Sequence, residues 1–336
     1  MKKSIFSLLA VVTMAGCTQG DVVELVPNEN VEIKLTSSAI AAETMTRAPY
    51  EGTIGVNGSL TARVLVSETS GSYTTTYAND KMTFTDNGTT AVGFDTPKYY
   101  PADNRALYIC GLYPFEDWGT PANDECKFTF NGSQDVMAAG QKSSTKNTSK
   151  DGTYPQLTFN HLLTQLVIKA VAEDDAAITA WGNLTDLTLT KVGADNPASA
   201  VTVTLSTGVA DEGTAFATLL PAGMSWVKGA APETAFTSQT KALTTDGEEV
   251  AYSMVAPLKN ATGTADYTLA VKTANSGSTP VTVPVNLRTT GSNADYTAST
   301  QGKKFVVLLT FKATEIKASA TVEDWKEDGG SSEDIQ

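Results

Sequence analysis

Residue types that carry most enzyme chemistry are scarce in this chain. His161 is the one histidine among 336 residues, and no Gly-x-Ser-x-Gly sequence supplies a nucleophile elbow. A Ser-His-Asp triad or a catalytic zinc site would have to use that single histidine. We therefore expect no enzyme activity, no catalytic residue, no metal site and no cofactor. Because His161 precedes an apolar strand, we interpret it as a core or strand-end residue hydrogen-bonded to backbone.

Cysteine is also rare, with three residues and no Cys-x-x-Cys pair. This spacing gives no support to a zinc or redox site. Cys17 ends an apparent leader, which leaves Cys110 and Cys126. In an oxidising compartment these two could close a small loop as a disulfide worth about 3 kcal/mol. The alternative is a pair of buried thiols on neighbouring strands.

Basic side chains are outnumbered by acidic ones, 24 to 37, which gives a net charge of −13. A polyanion repels phosphate backbones, so we expect no nucleic acid partner.

Helix formers are few relative to Thr, Val, Ser, Gly and Asn, which favours an all-β fold with many turns. With 41% apolar residues the chain can bury a core, and its length suits two sandwich domains.

A short apolar run near the N-terminus follows two lysines, the pattern of a secretion signal. It is too short to span a bilayer as a final anchor. Small residues then precede Cys17, which resembles a bacterial lipobox, where the thiol is acylated, as with palmitate, and the chain is cut before it. We expect residues 1–16 to be the signal peptide and Cys17 to carry the lipid. A plain signal peptide is the alternative.

An alternating segment follows this leader at residues 31–36, Val-Glu-Ile-Lys-Leu-Thr. Its period is that of a half-buried strand. The residues predicted to face inward are Val31, Ile33 and Leu35.

Residues 37–46 are mostly small, and we interpret them as an exposed, flexible segment. Such segments are where proteases cut. Arg47, which precedes Ala48, is therefore a candidate site for an arginine-specific protease. The alternative is one more surface arginine.

Strand-like segments separated by turns fill the rest of the chain. Asn-Gly pairs at 57–58, 87–88 and 131–132 predict tight turns. Residues 142–152 are polar and predict a long exposed loop. The polar break at 173–175 is taken as a domain boundary, which gives an N-terminal domain of residues 48–175 and a C-terminal domain of residues 176–336.

Residues 106–114, in the N-terminal half, are apolar enough for a central core strand.

Two details concern the C-terminal half. Pro284 predicts an edge or bulged strand, because proline cannot donate to a ladder. The last alternating strand contains Glu-Ile-Lys at 315–317, which repeats Glu-Ile-Lys at 32–34. This is the pattern of two segments competing for one groove. The inward row of the last strand is Ile316, Ala318, Ala320 and Val322.

Several stretches together, by order and spacing, resemble the fimbrillin family, the subunits of type V pili of anaerobic Gram-negative bacteria of gut and mouth. They are the lipobox at Cys17, Thr46-Arg47-Ala48, Tyr99-Tyr100-Pro101 before the strand that ends at Tyr113-Pro114, Asp135-Val136-Met137-Ala138, Phe159-Asn160-His161, and the segment from Gly302-Lys303-Lys304-Phe305 to Asp324-Trp325.

The resemblance implies two tandem transthyretin-like β-sandwich domains with a detachable N-terminal strand. It implies export as a lipoprotein, cleavage between Arg47 and Ala48, and loss of residues 17–47 as a lipidated propeptide. The vacated groove would accept a C-terminal donor strand from the next subunit, by β-strand addition.

The implied partners are other copies of the chain or related fimbrial subunits, an arginine-specific protease and the lipoprotein export machinery. The implied location is the outer membrane for the precursor and then a fimbria on the cell surface, supporting adhesion and biofilm formation. The alternative is a surface lipoprotein that binds glycans. Its sugar platform would use tryptophans from the set Trp118, Trp181, Trp226 and Trp325.

Overall fold

A computed structural model describes residues 30–39, 59–116, 118–132, 134–193, 198–212, 240–258, 265–287 and 300–324. These residues form 17 strands and two short helices, which confirms the all-β prediction. The leader with Cys17, the Arg47–Ala48 junction and the segment from Trp325 onward lie outside the described residues. None of the described helices is long and apolar enough to cross a membrane.

The first strands are β1 (Lys34–Ala39), β2 (Leu60–Ser67), β3 (Ala78–Phe84), β4 (Val92–Gly93), β5 (Leu107–Tyr113), β6 (Glu125–Thr129), β7 (Met137–Ser144) and β8 (Gln156–His161). The later strands are β9 (Thr164–Ala172), β10 (Leu184–Lys191), β11 (Ala200–Thr204), β12 (Val209–Glu212), β13 (Glu248–Val255), β14 (Tyr267–Thr273), β15 (Val281–Val285), β16 (Lys303–Phe311) and β17 (Ile316–Asp324). The helices are α1 (Lys146–Lys150) and α2 (Asp175–Trp181).

Seven strands form one sheet in the order β3-β2-β5-β7-β8-β1-β4. The apolar strand β5 lies in its interior, as predicted. Gly111 of β5 permits a close approach, because a Cβ there would lie 2.6 Å from the ring of Phe159 on β8. Phe159 also packs against Phe84, with 5.9 Å between ring centroids. These aromatic side chains belong to a buried cluster that β1 helps to cover.

Except for β11 and β12, the strands from β9 onward form two further sheets. One has the order β13-β9-β16-β17, with β9 and β16 parallel, and the other has the order β10-β14-β15. Pro284 lies in β15, at an edge of its sheet, as predicted. Among the described residues, Gly88 and Gly132 of the Asn-Gly pairs have positive φ angles of 86° and 88°, as tight turns require.

A third small sheet joins strands from both halves of the chain, because β6 pairs with β11, and β11 with β12. The larger buried cluster likewise combines Phe128 of β6 with Val201 of β11 and Phe305 of β16. Within the described residues β9 pairs with β13 and β16, strands of the C-terminal half. The boundary near residue 175 and the transthyretin-like arrangement stay predictions.

The long exposed loop expected at residues 142–152 was wrong. β7 continues to Ser144, and α1 follows with Thr145 as its N-cap, whose side chain accepts from Thr148 N at 3.3 Å. The polar break at 173–175 is similarly the start of a helix, since Asp174 accepts from Ala177 N at 2.8 Å. Short capped helices lack the long periodicity on which a helix prediction rests.

Candidate functional site

The first strand lies between two strands that come much later in the chain. Lys34 and Leu35 pair antiparallel with β4, and residues 36–39 pair parallel with β8. Just before β1, Ile33 N donates to Lys98 O at 2.8 Å, and Tyr100 N donates to Val31 O at 2.9 Å. Main-chain hydrogen bonds therefore hold this segment along its length.

The side chains of the segment alternate as the sequence predicted. Ile33 and Leu35 are fully buried, and Val31 is partly buried against the same cluster. Full burial of one such aliphatic side chain contributes about 1.5–3 kcal/mol. Removing the strand would expose this cluster and leave backbone groups of β8 and β4 unpaired.

The strand continues further than the sequence indicated. Residues 37–39, expected to begin an exposed segment, belong to β1, and Ser37 is buried. The reason is the parallel ladder to β8, which pairs Ser37 with Leu157. The neighbouring Ser38 points outward, where its hydroxyl donates to Thr158 Oγ1 at 3.1 Å.

The predicted donor strand lies at an edge. β17 pairs antiparallel with β16 and ends its sheet in the described part of the chain. Ile316 and Ala320 are buried and Ala318 is partly buried, all facing the larger cluster. Val322 is the backbone partner of Phe305, and its side chain lies outside the described ones.

The repeated Glu-Ile-Lys triplets have the same local geometry. Lys34 Nζ lies 3.4 Å from the Glu32 carboxylate on the exposed face, and Lys317 Nζ lies 3.0 Å from the Glu315 carboxylate. The isoleucine between each pair is buried. Both segments thus present an apolar inner row and a charged outer row.

Cys110 on β5 and Cys126 on β6 are buried free thiols in the structure. The Cys126 thiol donates to Gly119 O at 3.3 Å. Burial raises the pKa of both thiols above their ordinary value, with Cys110 the more strongly affected. Both thiols are buried, as in the alternative to a disulfide, but β5 and β6 belong to different sheets. A disulfide between them stays a prediction.

We expect both thiols to react slowly with iodoacetamide in the folded chain at pH 8, about 100-fold slower than in urea, because the thiolate is the nucleophile and burial suppresses it. Reactivity should rise with pH, since a raised pKa keeps the thiol protonated until higher pH. Mass spectrometry of Cys110 and Cys126 peptides measures this. Equal labelling of the folded chain and of the chain in urea would contradict this prediction. A Cys110 peptide joined to a Cys126 peptide, with a mass two hydrogens below their sum, would establish the disulfide.

His161 ends β8 as a buried residue, as expected, and its ring contacts a side chain. Its Nδ1 lies 2.9 Å from Asp135 Oδ2, and both groups are buried. The pKa of the nearby Tyr113 hydroxyl is raised to about 12, mainly by burial and to a smaller extent by the charge of Asp135. In the part of the chain that the structure describes, no three His, Cys, Asp or Glu side chains group as metal ligands.

The two described tryptophans serve as packing residues. Trp118 Nε1 donates to Pro114 O at 2.9 Å, and its ring lies 5.0 Å from that of Phe128. Trp181 Nε1 donates to Lys312 O at 2.6 Å, with its ring edge-on to Phe311. Trp118 is buried, and Trp181 is partly buried against the larger cluster. Trp226 and Trp325 lie outside the described residues.

Fold and site define an all-β protein whose N-terminal strand fills a gap between later strands. Residues 46–325 match the model of the fimbrillin-like family. Because this match spans most of the sequence, the chain belongs to the fimbrillin-like family. Membership supports a fimbrial subunit that associates with other fimbrial subunits at the cell surface.

Two solved structures share this fold, and a third is similar to the chain at a lower TM-score. A proposed cell adhesion protein from Bacteroides uniformis has 17% identity and a TM-score of 0.53, with 88% of this chain and 99% of that chain covered. One from Bacteroides ovatus has 15% identity and a TM-score of 0.50, with 88% and 98% covered. A fimbrial protein from Bacteroides vulgatus has 16% identity and a TM-score of 0.46, with 89% and 100% covered. No curated protein matches.

Proposed function

We propose that this chain is a structural subunit of a cell-surface fimbria of the type V class, and that it polymerises by β-strand exchange after proteolytic removal of residues 17–47. The observation that carries the proposal is the place of β1. It is the first strand that the structure describes, yet it lies between β8 and β4, and residues 40–59 alone link it covalently to the described strands that follow. A cut after Arg47 therefore leaves β1 held by non-covalent contacts.

Cleavage changes the competition for the groove, which is the space between β8 and β4 that β1 occupies. While β1 is covalently attached, its effective concentration at the groove is high, and a strand from another molecule competes poorly. After cleavage that advantage is lost. The unpaired backbone of β8 and β4 and the exposed apolar cluster then favour addition of a partner strand.

The proposed donor is β17 of a second copy or of a related subunit. As an edge strand it can leave its own sheet at the cost of one ladder, that with β16. Its inward row is apolar throughout, being Ile316, Ala318, Ala320 and Val322. Main-chain hydrogen bonds would supply affinity, and these alternate side chains would set the register.

The remaining parts of the proposal concern export. Lipid on Cys17, such as palmitate, would hold the precursor at the outer membrane after passage through the lipoprotein export machinery. An arginine-specific protease would then release the subunit at Arg47, and the fimbria would support adhesion and biofilm formation. The division into an N-terminal domain of residues 48–175 and a C-terminal domain of residues 176–336 is part of the same proposal.

The N-terminus of the protein in purified fimbriae tests the proposal. We expect Ala48 as the first residue, because the polymer contains only chains that have lost β1. The membrane fraction serves as the control and should yield a blocked, lipidated Cys17. A polymer whose subunits begin at Cys17 would contradict the proposed processing.

A further inference from the structure

One inward position of the first strand carries a polar side chain. Ile33, Leu35 and Ser37 form its buried row, and Ser37 is 1% exposed. Among the described residues its hydroxyl has no hydrogen-bond partner. A buried hydroxyl without a partner weakens the equilibrium that buries it by roughly tenfold or more.

The ladder around Ser37 is also the weaker kind. Residues 36–39 pair parallel with β8, and parallel pairing is slightly less stable per residue than antiparallel pairing. The antiparallel pairing with β4 covers only Lys34 and Leu35. The side chain of Leu157, which pairs with Ser37, is fully buried and apolar. An aliphatic side chain at position 37 would therefore suit this place better than a hydroxyl.

The C-terminal strand offers such a side chain. When the two Glu-Ile-Lys triplets are superposed, Ile316 takes the place of Ile33, Ala318 that of Leu35 and Ala320 that of Ser37. The matching ion pairs on the outer face support this register. No hydroxyl remains in the inner row.

We propose that Ser37 is a release residue of β1. Its unpartnered hydroxyl weakens the binding of β1 to the groove, so that after cleavage β1 gives way more readily to a strand from a second copy that carries no hydroxyl at that place. The smaller Ala318 in the place of Leu35 acts in the opposite direction, which makes the contribution of position 37 the more important for exchange. The inference rests on the strand exchange proposed above. It assigns to Ser37 one contribution to the replacement of β1 by the incoming strand.

The first test uses the uncut chain and needs no assembly. Ser37→Ala should slow hydrogen exchange of the β1 amides about tenfold, because the variant removes the buried hydroxyl without opening a cavity. Ser38→Ala is the matched control, since Ser38 faces outward and bonds Thr158. It should leave exchange unchanged or faster. Equal exchange in wild type and Ser37→Ala would overturn the inference alone, leaving strand exchange intact.

The second test uses the chain cut after Arg47 and a synthetic peptide of residues 315–324. We expect the peptide to displace β1, and Ser37→Ala to slow displacement about tenfold. A peptide with Ala320→Ser should displace β1 about tenfold more slowly, whereas a peptide with Ser319→Ala, changed at an exposed position, should match the unaltered one. Displacement at equal rates by all peptides would overturn the inference. No displacement by any peptide would contradict strand exchange itself.

Discussion

Replacing Arg47 by alanine is expected to leave the exported chain uncut, monomeric and unable to form fimbriae. The physical reason is that β1 then stays covalently attached. Its buried row, with Ile33 and Leu35 fully covered, keeps the groove closed to a second strand. An attached strand competes at an effective concentration of about millimolar or more, far above that of free subunits.

Electron microscopy of cells and size-exclusion chromatography of the protein extracted from the membrane with detergent measure this outcome. Arg105→Ala is the matched control, because Arg105 is an exposed arginine of the folded region, with ion pairs to Glu68 and Asp103. It should polymerise normally. Normal fimbriae from Arg47→Ala cells would show that cleavage at this residue is not the trigger.

Replacing Leu35 by aspartate is expected to have the opposite effect, with association of the uncut chain. Leu35 is fully buried in the cluster around β1, so the change loses its packing and places a carboxylate among apolar side chains. Loss of a buried leucine costs about 2–5 kcal/mol, and burial of an unpaired charge adds to it. The strand should therefore leave the groove without any cleavage.

Light scattering and hydrogen exchange of the β1 amides measure this effect. Ser38→Asp places the same charge on the outward face of the same strand and should stay monomeric. The double variant Leu35→Asp, Arg47→Ala should associate as readily as Leu35→Asp. The reason is that Leu35→Asp releases β1 from the groove directly, so that cleavage after residue 47 is no longer needed. A monomeric Leu35→Asp chain with wild-type amide protection would contradict the role assigned to β1.

The two variants act on one equilibrium from opposite sides. Arg47→Ala retains the attachment that keeps β1 in place, and Leu35→Asp removes the burial that does so. If both behave as expected, occupancy of the groove between β8 and β4 controls assembly.

Local features of the chain were predictable from sequence because alternation is a property of neighbouring residues. It identified Ile33 and Leu35 as an inward row, and Ile316 and Ala320 as a similar row at the other end. It did not identify Ser37, because serine in a run of small residues is typical of a loop. Its burial depends on β8, which begins at Gln156.

By itself, then, the sequence determined an all-β chain, the inner faces of its first and last predicted strands, and a place for Pro284 at an edge or a bulge. Tertiary structure alone decided that β1 pairs with β8 and β4, and that β6 pairs with β11. The physical reason is that a ladder forms between main-chain groups that are identical in every residue except proline. Strands distant in the chain therefore carry no local sign of which partner they will meet.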